Sequence, residues 1–425
     1  RIKDMVIHQL PSVAKGWNTH GMTQKQVDAY YMNTGDDCPG MNSQYAGYQA
    51  YKDRVDNRPR PVGYTSNAQD YKPLSANVSL QYANREPRFY ASVAFNGARW
   101  YLGNESQQAN QNKQVFYYRG GGNGYSNNMF WLRTGIGVMK YVNPSDTYEN
   151  SDGAKIIDKD EPAIRYADIL LMYAEALNEL NGYATPDAVD ALEKVRLRAF
   201  KKDASKIKPI PTEYTAFKNE IILERKLELS NESLRKTDLT RWGILYDHLM
   251  AEKDKLYQLA RREGKYADVD VYRAYKGGKA VYQDPTVALP YITLKESDFS
   301  KFGLTNDEIK TLKIQNDGVN GGFVEKEVYE DVNGNIYLTK DDMPEAQQEN
   351  ATAVTYTILN MFGCHTIKNK GGLSVEQVEG ISDVNNFITN MFYGLEKNKV
   401  EILPFSTTAI IDVNPGLKDQ QHPCY

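Results

Sequence analysis

The chain has 425 residues, and its 41% hydrophobic and 25% charged residues are typical of a globular protein with a hydrophobic core. The 51 basic and 55 acidic residues are interspersed, so the sequence lacks the basic stripe that nucleic-acid binding requires. No apolar run approaches the roughly 20 residues needed to cross a bilayer, residues 1–20 do not have the pattern of a signal peptide, and three widely spaced cysteines predict neither a zinc site nor a disulfide framework.

Residues 1–160 are rich in Pro, Gly, Asn and Ser and are predicted to form a loop-rich segment that carries a ligand-binding face. The aromatic run from Arg88 to Phe95, ended by Asn96-Gly97, predicts a strand, and residues 114–118 predict another. A mobile glycine-rich loop is expected to follow the second strand.

Tyrosine is unusually frequent, with 31 tyrosines against 13 phenylalanines. A tyrosine ring offers an apolar face for stacking on a sugar, and its hydroxyl tolerates water, so tyrosines in polar segments suit a recognition surface. Half-buried tyrosines in a loop-rich fold would give the same composition. The candidate ligand-binding residues stand among polar side chains in the first loop region and are Trp17, Tyr45, Tyr48, Tyr51, Tyr64 and Tyr71.

Residues 161–262 show helical periodicity and are predicted to form the scaffold. One helix is expected from Pro162 to Gly182, and a second is expected to be capped by Thr185 with Pro186 at its first position. A third is predicted from about Thr212 through Leu227, and a fourth from Asp238 to about Arg262. Amphipathic helices joined by short loops pack as antiparallel pairs, which is the unit of TPR-like solenoids.

Residues 263–402 are predicted to be a loop-rich insertion, and residues 403–425 a C-terminal tail. A hairpin is expected from Val324 to Thr339 around Asn333-Gly334, the dipeptide that favours a type I′ turn. A helix is expected from Val384 to Leu395.

The densest charged segment raises the question of catalysis, because Glu224 and Glu228 lie four residues apart on one helix face. Cationic neighbours within one or two turns would depress the pKa values of these carboxyl groups and make them poor general acids. A structural ion-pair network is therefore favoured over a hydrolase site. Its predicted members are Arg165, Glu175, Glu224, Arg225, Glu228, Arg235, Asp238 and Arg241.

No metal site or cofactor site is predicted. Asp331, Asn333 and Asn335 imitate the start of an EF-hand loop, but Ile336 stands where that loop requires glycine. The five histidines never recur at i, i+3 or i+4, so they do not form a helical metal pair.

Five motifs in consistent order carry a family resemblance. The segments 164–178, 224–243 and 403–425 are similar to the signature helix, the second motif and the closing motif of the SusD/RagB family, and 23–35 and 85–97 fit as well. The chain thus resembles the larger, C-terminal part of a SusD/RagB-type lipoprotein. Two departures lie in the second motif, where Asn231 and Ser233 replace the usual aromatic residue and glycine, and His422 and Cys424 depart from the closing motif.

The resemblance implies a mainly α fold with a TPR-like helical-pair scaffold, a large loop-rich ligand-binding face, short β-hairpins, and the C-terminal tail packed on the scaffold. It also implies non-catalytic capture of glycans, or alternatively of peptides, for a SusC-like TonB-dependent transporter, with no cofactor. The expected location is the outer-membrane surface of Bacteroidetes-type bacteria, through an N-terminal lipid anchor not present in this chain. The rival functions are a glycoside hydrolase that uses Glu224 and Glu228 and a solenoid that binds only protein.

Overall fold

In the computed structural model of this chain, the described residues are 2–38, 80–82, 84–102, 112–115, 117, 132, 134–143, 146, 156–160, 162–261, 272–277, 291–313, 323–349, 351–360, 392 and 395–397. The tail 403–425 and nearly all of the helix predicted at 384–395 lie outside them.

Helices dominate the described part of the chain. The α-helices are α1 (Ile2–Gln9), α2 (Gln24–Ala29), α3 (Pro87–Ser92), α4 (Tyr166–Asn181), α5 (Pro186–Ala199), α6 (Tyr214–Glu228), α7 (Arg235–Arg241), α8 (Leu245–Arg261), α9 (Asn306–Lys313) and α10 (Glu345–Gln348). Within the described ranges, none of these helices combines the length and the apolar character that a membrane span requires.

The scaffold begins with the pair α4 and α5, which pack against each other and against α6. Helix α4 ends at Gly182, which adopts a φ of +72°, a conformation that costs glycine little. Helix α5 begins as predicted, because the Thr185 side chain accepts a hydrogen bond from the Ala188 N–H at 3.3 Å and Pro186 fills the first position. A small apolar core, which includes Leu171, Leu192 and Phe217, joins α4 and α5 to α6. The fold is therefore mainly α, with TPR-like helix pairs, and the predicted fold class is confirmed.

Two boundaries in the scaffold differ from the prediction. Helix α4 starts at Tyr166 instead of Pro162, because Arg165 is extended. The predicted fourth helix is two helices, α7 and α8, which Gly243 separates with a φ of +67°. The Gly243 and Ile244 N–H groups bond back to the carbonyls of α7, which satisfies the end of that helix.

The strand predicted from Arg88 to Phe95 is wrong over most of its length. Residues Pro87–Ser92 form helix α3, and only Val93–Ala94 form a strand, β1, which pairs with β4 (Gly137–Val138). Pro87 is suited to the first position of a helix, and the adjacent Phe89 and Tyr90 are both fully buried, so no alternation of buried and exposed side chains supports a strand. A second short hairpin pairs β2 (Ala98–Tyr101) with β3 (Asn112–Val115).

Residues 272–360 contain a five-stranded antiparallel sheet, which is a larger unit than the single predicted hairpin. Its strands are β5 (Tyr272–Lys276), β6 (Tyr291–Leu294), β7 (Phe323–Glu330), β8 (Ile336–Tyr337) and β9 (Ala353–Asn360), in the order β6-β5-β9-β7-β8. The hairpin at Asn333-Gly334 is present as β7 and β8, and Gly334 has a φ of +82°. Met32, from the segment after α2, packs into the core of this sheet.

Candidate functional site

Only one of the six candidate ligand-binding residues, Trp17, lies among the described residues. Its side chain is 37% exposed in the loop after α1, and its ring meets the His8 ring edge-on with centroids 4.7 Å apart. His8 in turn contacts the Thr19 hydroxyl at 2.7 Å. Tyr45, Tyr48, Tyr51, Tyr64 and Tyr71 lie outside the described residues, so the proposed aromatic surface stays a prediction.

Glu224 lies inside the protein between two arginines. It is fully buried on α6, and its two carboxylate oxygens accept from Arg88 Nη1 at 2.6 Å and from Arg196 Nε at 2.9 Å. Helix α3 supplies the first arginine and helix α5 the second. Both oxygens of Glu224 are therefore occupied by cationic donors.

Glu228, one turn further along α6, is held in the same way. Its carboxylate accepts from Arg165 Nη2 at 2.9 Å, from Arg88 Nη1 at 3.4 Å and from Arg198. Glu228 is 4% exposed. Arg88 bridges the two glutamates, so they belong to one buried cluster.

The electrostatics of this cluster oppose acid–base catalysis. Burial alone would raise the pKa of Glu224, but the positive charges of Arg88 and Arg196 outweigh burial and hold that pKa below its usual range. A general acid of a glycoside hydrolase needs the opposite, a carboxyl group whose pKa is raised so that it carries a proton near neutral pH. The geometry therefore favours the structural interpretation of Glu224 and Glu228.

A second ion-pair cluster ties α4 to α6 and α7. Arg225 donates to Asp168 at 2.6 Å and to Asp238 at 2.8 Å. Arg241 donates from Nη2 to Glu175 at 2.7 Å, and the Arg241 guanidinium also stacks on the Trp242 ring, 4.5 Å from its centroid.

Arg235 does not join these pairs, although the sequence suggested that it would. Its guanidinium donates to the Ile222 carbonyl at 2.9 Å and stands over the Trp242 ring, and no ion pair links it to a carboxylate among the described residues. Burial lowers the pKa of Arg235 to about 10. The reason is positional, because the start of α7 places the side chain against the backbone of α6, where carbonyl groups are the available acceptors.

Several members of the buried cluster are not apparent from the sequence. Arg88, Arg196 and Arg198 supply most of the positive charge around the two glutamates, and Glu86 accepts from Arg88 Nε at 2.8 Å. Arg88 precedes Glu224 by 136 residues, and no periodicity relates positions so far apart. The only sequence signal is that Glu86 and Arg88 fall within the upstream motif at 85–97.

The part of the chain that the structure describes contains no group of three or more His, Cys, Asp or Glu side chains arranged to hold a metal ion. The acidic turn at Asp331, which resembles the start of an EF-hand loop, stabilises the hairpin. Its carboxylate accepts from the N–H groups of Asn333 and Asn335, both at 2.8 Å, and from the Asn335 amide at 2.7 Å. These bonds use the Asp331 side chain to fold the hairpin turn.

Comparisons with known proteins all point to one family. The model of the SusD family matches residues 4–358. A SusD-like protein, P25, of Formosa agariphila is 45% identical over 84 residues, which are 20% of this chain and 15% of that protein.

Two solved structures are also similar. A SusD homologue from Bacteroides thetaiotaomicron is 30% identical over 28% of this chain and 23% of its own, with a TM-score of 0.24. A SusD-like protein from Bacteroides fragilis is 22% identical over 53% of this chain and 37% of its own, with a TM-score of 0.37. The chain thus spans well under two thirds of the length of each of these relatives.

Proposed function

This chain belongs to the SusD family, and we propose that it binds glycans at the cell surface, without catalysing any reaction on them, and passes them to a SusC-like TonB-dependent transporter. The observation that carries the proposal is the family match over residues 4–358. Members of this family are nutrient-binding proteins, and such a role needs a stable scaffold and a ligand surface but no reactive group.

The buried glutamates support the non-catalytic part of the proposal. Glu224 and Glu228 are the two carboxylates whose spacing suggested hydrolysis, and arginines occupy both of them inside the protein. A substrate would have to displace these arginines before it could meet either carboxylate. Removing one partner from a buried ion pair costs several kcal/mol, so that displacement is unfavourable.

The tyrosine-rich composition of the loop region supports a glycan as the ligand. Sugar rings present C–H faces that stack on aromatic rings, and their hydroxyl groups bond to the Asn, Asp and Arg side chains that surround the tyrosines. A peptide would use the same groups by other contacts, and the experiment below separates the two ligands. In the proposal, a lipid anchor holds the protein on the extracellular face of the outer membrane.

Binding to a glycan array and to a peptide library tests the proposal, with affinities then measured by calorimetry. We expect oligosaccharides to bind and the peptides not to bind. The double variant Tyr45→Ala/Tyr48→Ala should lose the binding while its melting temperature stays nearly unchanged. Tyr166→Ala is the matched control, because Tyr166 is a 72% exposed tyrosine on α4, outside the predicted surface.

Three results would contradict the proposal or parts of it. Peptide binding alone would replace the glycan by a peptide, and unaltered affinity in the double variant would remove Tyr45 and Tyr48 from the site. Release of shortened saccharides by the wild-type protein would make the protein a hydrolase.

A further inference from the structure

A cleft with a volume of about 610 Å³ opens beside the start of α4. This volume lies within the range of small-molecule sites. Four parts of the chain form its walls. They are α1 with Met5, the segment with Tyr141, the loop before α4 with Pro162, and the turn between α6 and α7 with Asn231 and Ser233.

Three side chains of the walls present polar atoms that have no hydrogen-bond partner among the described residues. Asp168 uses Oδ1 for Arg225, which leaves Oδ2 available. Asn231 uses its Nδ2 for the Ser230 hydroxyl, which leaves Oδ1 available. The Ser233 hydroxyl is exposed and has no such partner. These atoms are two acceptors and one group that both donates and accepts, which is the set that binds hydroxyl groups.

The charges of the walls are already paired. Arg165 donates from Nε to Glu232 at 2.8 Å and from Nη2 to Glu228 at 2.9 Å. Asp168 is paired with Arg225 at 2.6 Å. A charged ligand would find no unpaired opposite charge here and would lose hydration on entering, so the cleft favours a neutral ligand.

The cleft also offers an apolar wall. The residues that form this wall are Met5, Tyr141, Pro162 and Leu234. Tyr141 is fixed in place because its hydroxyl donates to the Asn231 carbonyl at 3.3 Å. A fixed aromatic ring beside hydroxyl-binding groups matches a saccharide, which has apolar C–H faces and a polar edge.

The turn that carries the polar groups is strained. Asn231 has a φ of +62° and Ser233 has a φ of +63°, in a region that costs a residue with a Cβ about 1 kcal/mol or more. Asparagine tolerates this conformation better than serine does. Glycine would relieve the strain at either position but would remove the side chain that faces the cleft, so these two positions retain polar groups at a cost in stability.

We propose that this cleft is a second binding site, which takes a small neutral saccharide, a mono- or disaccharide, between the Tyr141 wall and the turn at 231–233. None of the described residues that line the cleft belongs to the tyrosine set of the first proposal, and the inference rests on the proposed function only for the class of ligand. Its failure would leave the binding of long glycans to the tyrosine surface untouched.

The side chain of Met5 provides a local reporter, because it lines the cleft. The chain has 11 methionines, so ¹³C-methyl methionine labelling gives few NMR resonances, and a Met5→Leu variant assigns that of Met5. The probes are glucose, galactose, mannose, rhamnose, maltose and cellobiose, each titrated alone. We expect at least one of them to shift the Met5 resonance in a saturable way and to leave the resonance of Met32, which is buried in the core of the sheet, in place.

Two variants separate binding from folding. Ala163→Trp places a large ring in the cleft from an exposed loop position and should abolish the saturable shift, whereas Ala251→Trp, at an exposed alanine of α8, should not. Asn231→Gly/Ser233→Gly suits the left-handed backbone and therefore should fold, but it removes two side chains that bond the ligand. We expect its affinity to fall about tenfold.

The inference is overturned if no probe shifts Met5, or if the shift survives both Ala163→Trp and the double glycine variant. A shift caused only by the dipeptide Gly-Gly, added as a further probe, would also overturn it, because the ligand would then not be a saccharide. The variant Tyr45→Ala/Tyr48→Ala should keep the Met5 shift, which distinguishes failure of this site from failure of the proposed function.

Discussion

At the scale of single residues, the buried ion pairs around α6 are expected to contribute most to the stability of the scaffold. Glu224 is fully buried and compensates two arginines, Arg88 and Arg196. Replacing it by glutamine would remove the carboxylate that bridges these two buried guanidinium groups and leave them fewer anionic partners, which are Glu86 and Glu228 for Arg88 and Glu220 for Arg196. We expect Glu224→Gln to lower the free energy of unfolding by about 3–5 kcal/mol, measured by urea denaturation.

Glu179→Gln provides the control for that variant. Glu179 also pairs with a cation, Lys218, at 2.8 Å, but the pair lies at the surface. Surface pairs contribute roughly 0–1 kcal/mol, so the control should unfold close to the wild type. Equal effects of the two substitutions would show that the buried cluster does not stabilise the scaffold.

The environment of Lys226 in the folded protein disfavours the charged form of its side chain. Burial, followed by the nearby positive charge of Lys25, lowers the pKa of Lys226 from 10.5 to about 8, while Glu252 and Asp28 act in the opposite direction. Between pH 8 and 10.5 the unfolded chain therefore binds a proton that the folded protein has released, so the contribution of Lys226 to stability rises with pH in that window. Below pH 8 the penalty for burying the charge is present in full.

We therefore expect Lys226→Met to be more stable than the wild type at pH 7, by roughly 1–3 kcal/mol, since each pKa unit corresponds to about 1.4 kcal/mol. That advantage should disappear as the pH rises from 8 to 10.5. Denaturant unfolding at a series of pH values measures the difference. Lys194→Met is the control, because Lys194 is a surface residue and its substitution should give no such convergence.

At the scale of elements, short sequence motifs correctly predicted those helix ends that interactions within a few residues determine. Thr185 and Pro186 mark the start of α5 because a cap and a helix-compatible φ act within a few residues. The aromatic run at 88–95 failed as a strand signal because its rings serve a core that several distant segments complete. Tertiary packing overrode the intrinsic preference of those residues.

The break between α7 and α8 gives a prediction at this scale. Gly243 has a φ of +67°, and a Cβ at that position would meet no atom within 4 Å, so strain of the backbone is the only cost of a side chain. We expect Gly243→Ala to lower the free energy of unfolding by about 1–2 kcal/mol. Gly243→Asn should cost less, because asparagine tolerates the left-handed conformation. Equal stability of the glycine and alanine proteins in urea would contradict the assigned turn.

At the scale of the whole molecule, the sequence predicted the scaffold better than it predicted the sites. Helix pairs follow from periodicity, which each segment carries within itself. The partnership of Arg88 with Glu224 joins residues 136 apart, and the cleft at Ser233 needs four segments to meet. The same limit of sequence-based prediction applies to Asn231 and Ser233. Both are recognisable in the sequence as departures from the second motif, but the sequence does not reveal that they line a cleft.

Met32 connects the N-terminal helical segments with the five-stranded sheet. Its backbone pairs with Arg85, whose guanidinium donates to the Val27 and Tyr30 carbonyls, at 2.6 and 2.8 Å. Its side chain is 1% exposed and packs in the core of the sheet with Tyr272. The side chain of Met32 thus packs in the core of the sheet, while its backbone pairs with a residue of the N-terminal helical segments.

We expect Met32→Ala to lower the free energy of unfolding by about 2–5 kcal/mol, because it leaves a cavity where the two parts meet. Far-UV circular dichroism and near-UV signals from tyrosine should shift together, since the sheet and the helices lose the same contact. Met172→Ala, at a 42% exposed methionine of α4, should change either signal little. If Met32→Ala shifts only the near-UV transition, the sheet unfolds as an independent unit and Met32 does not couple it to the scaffold.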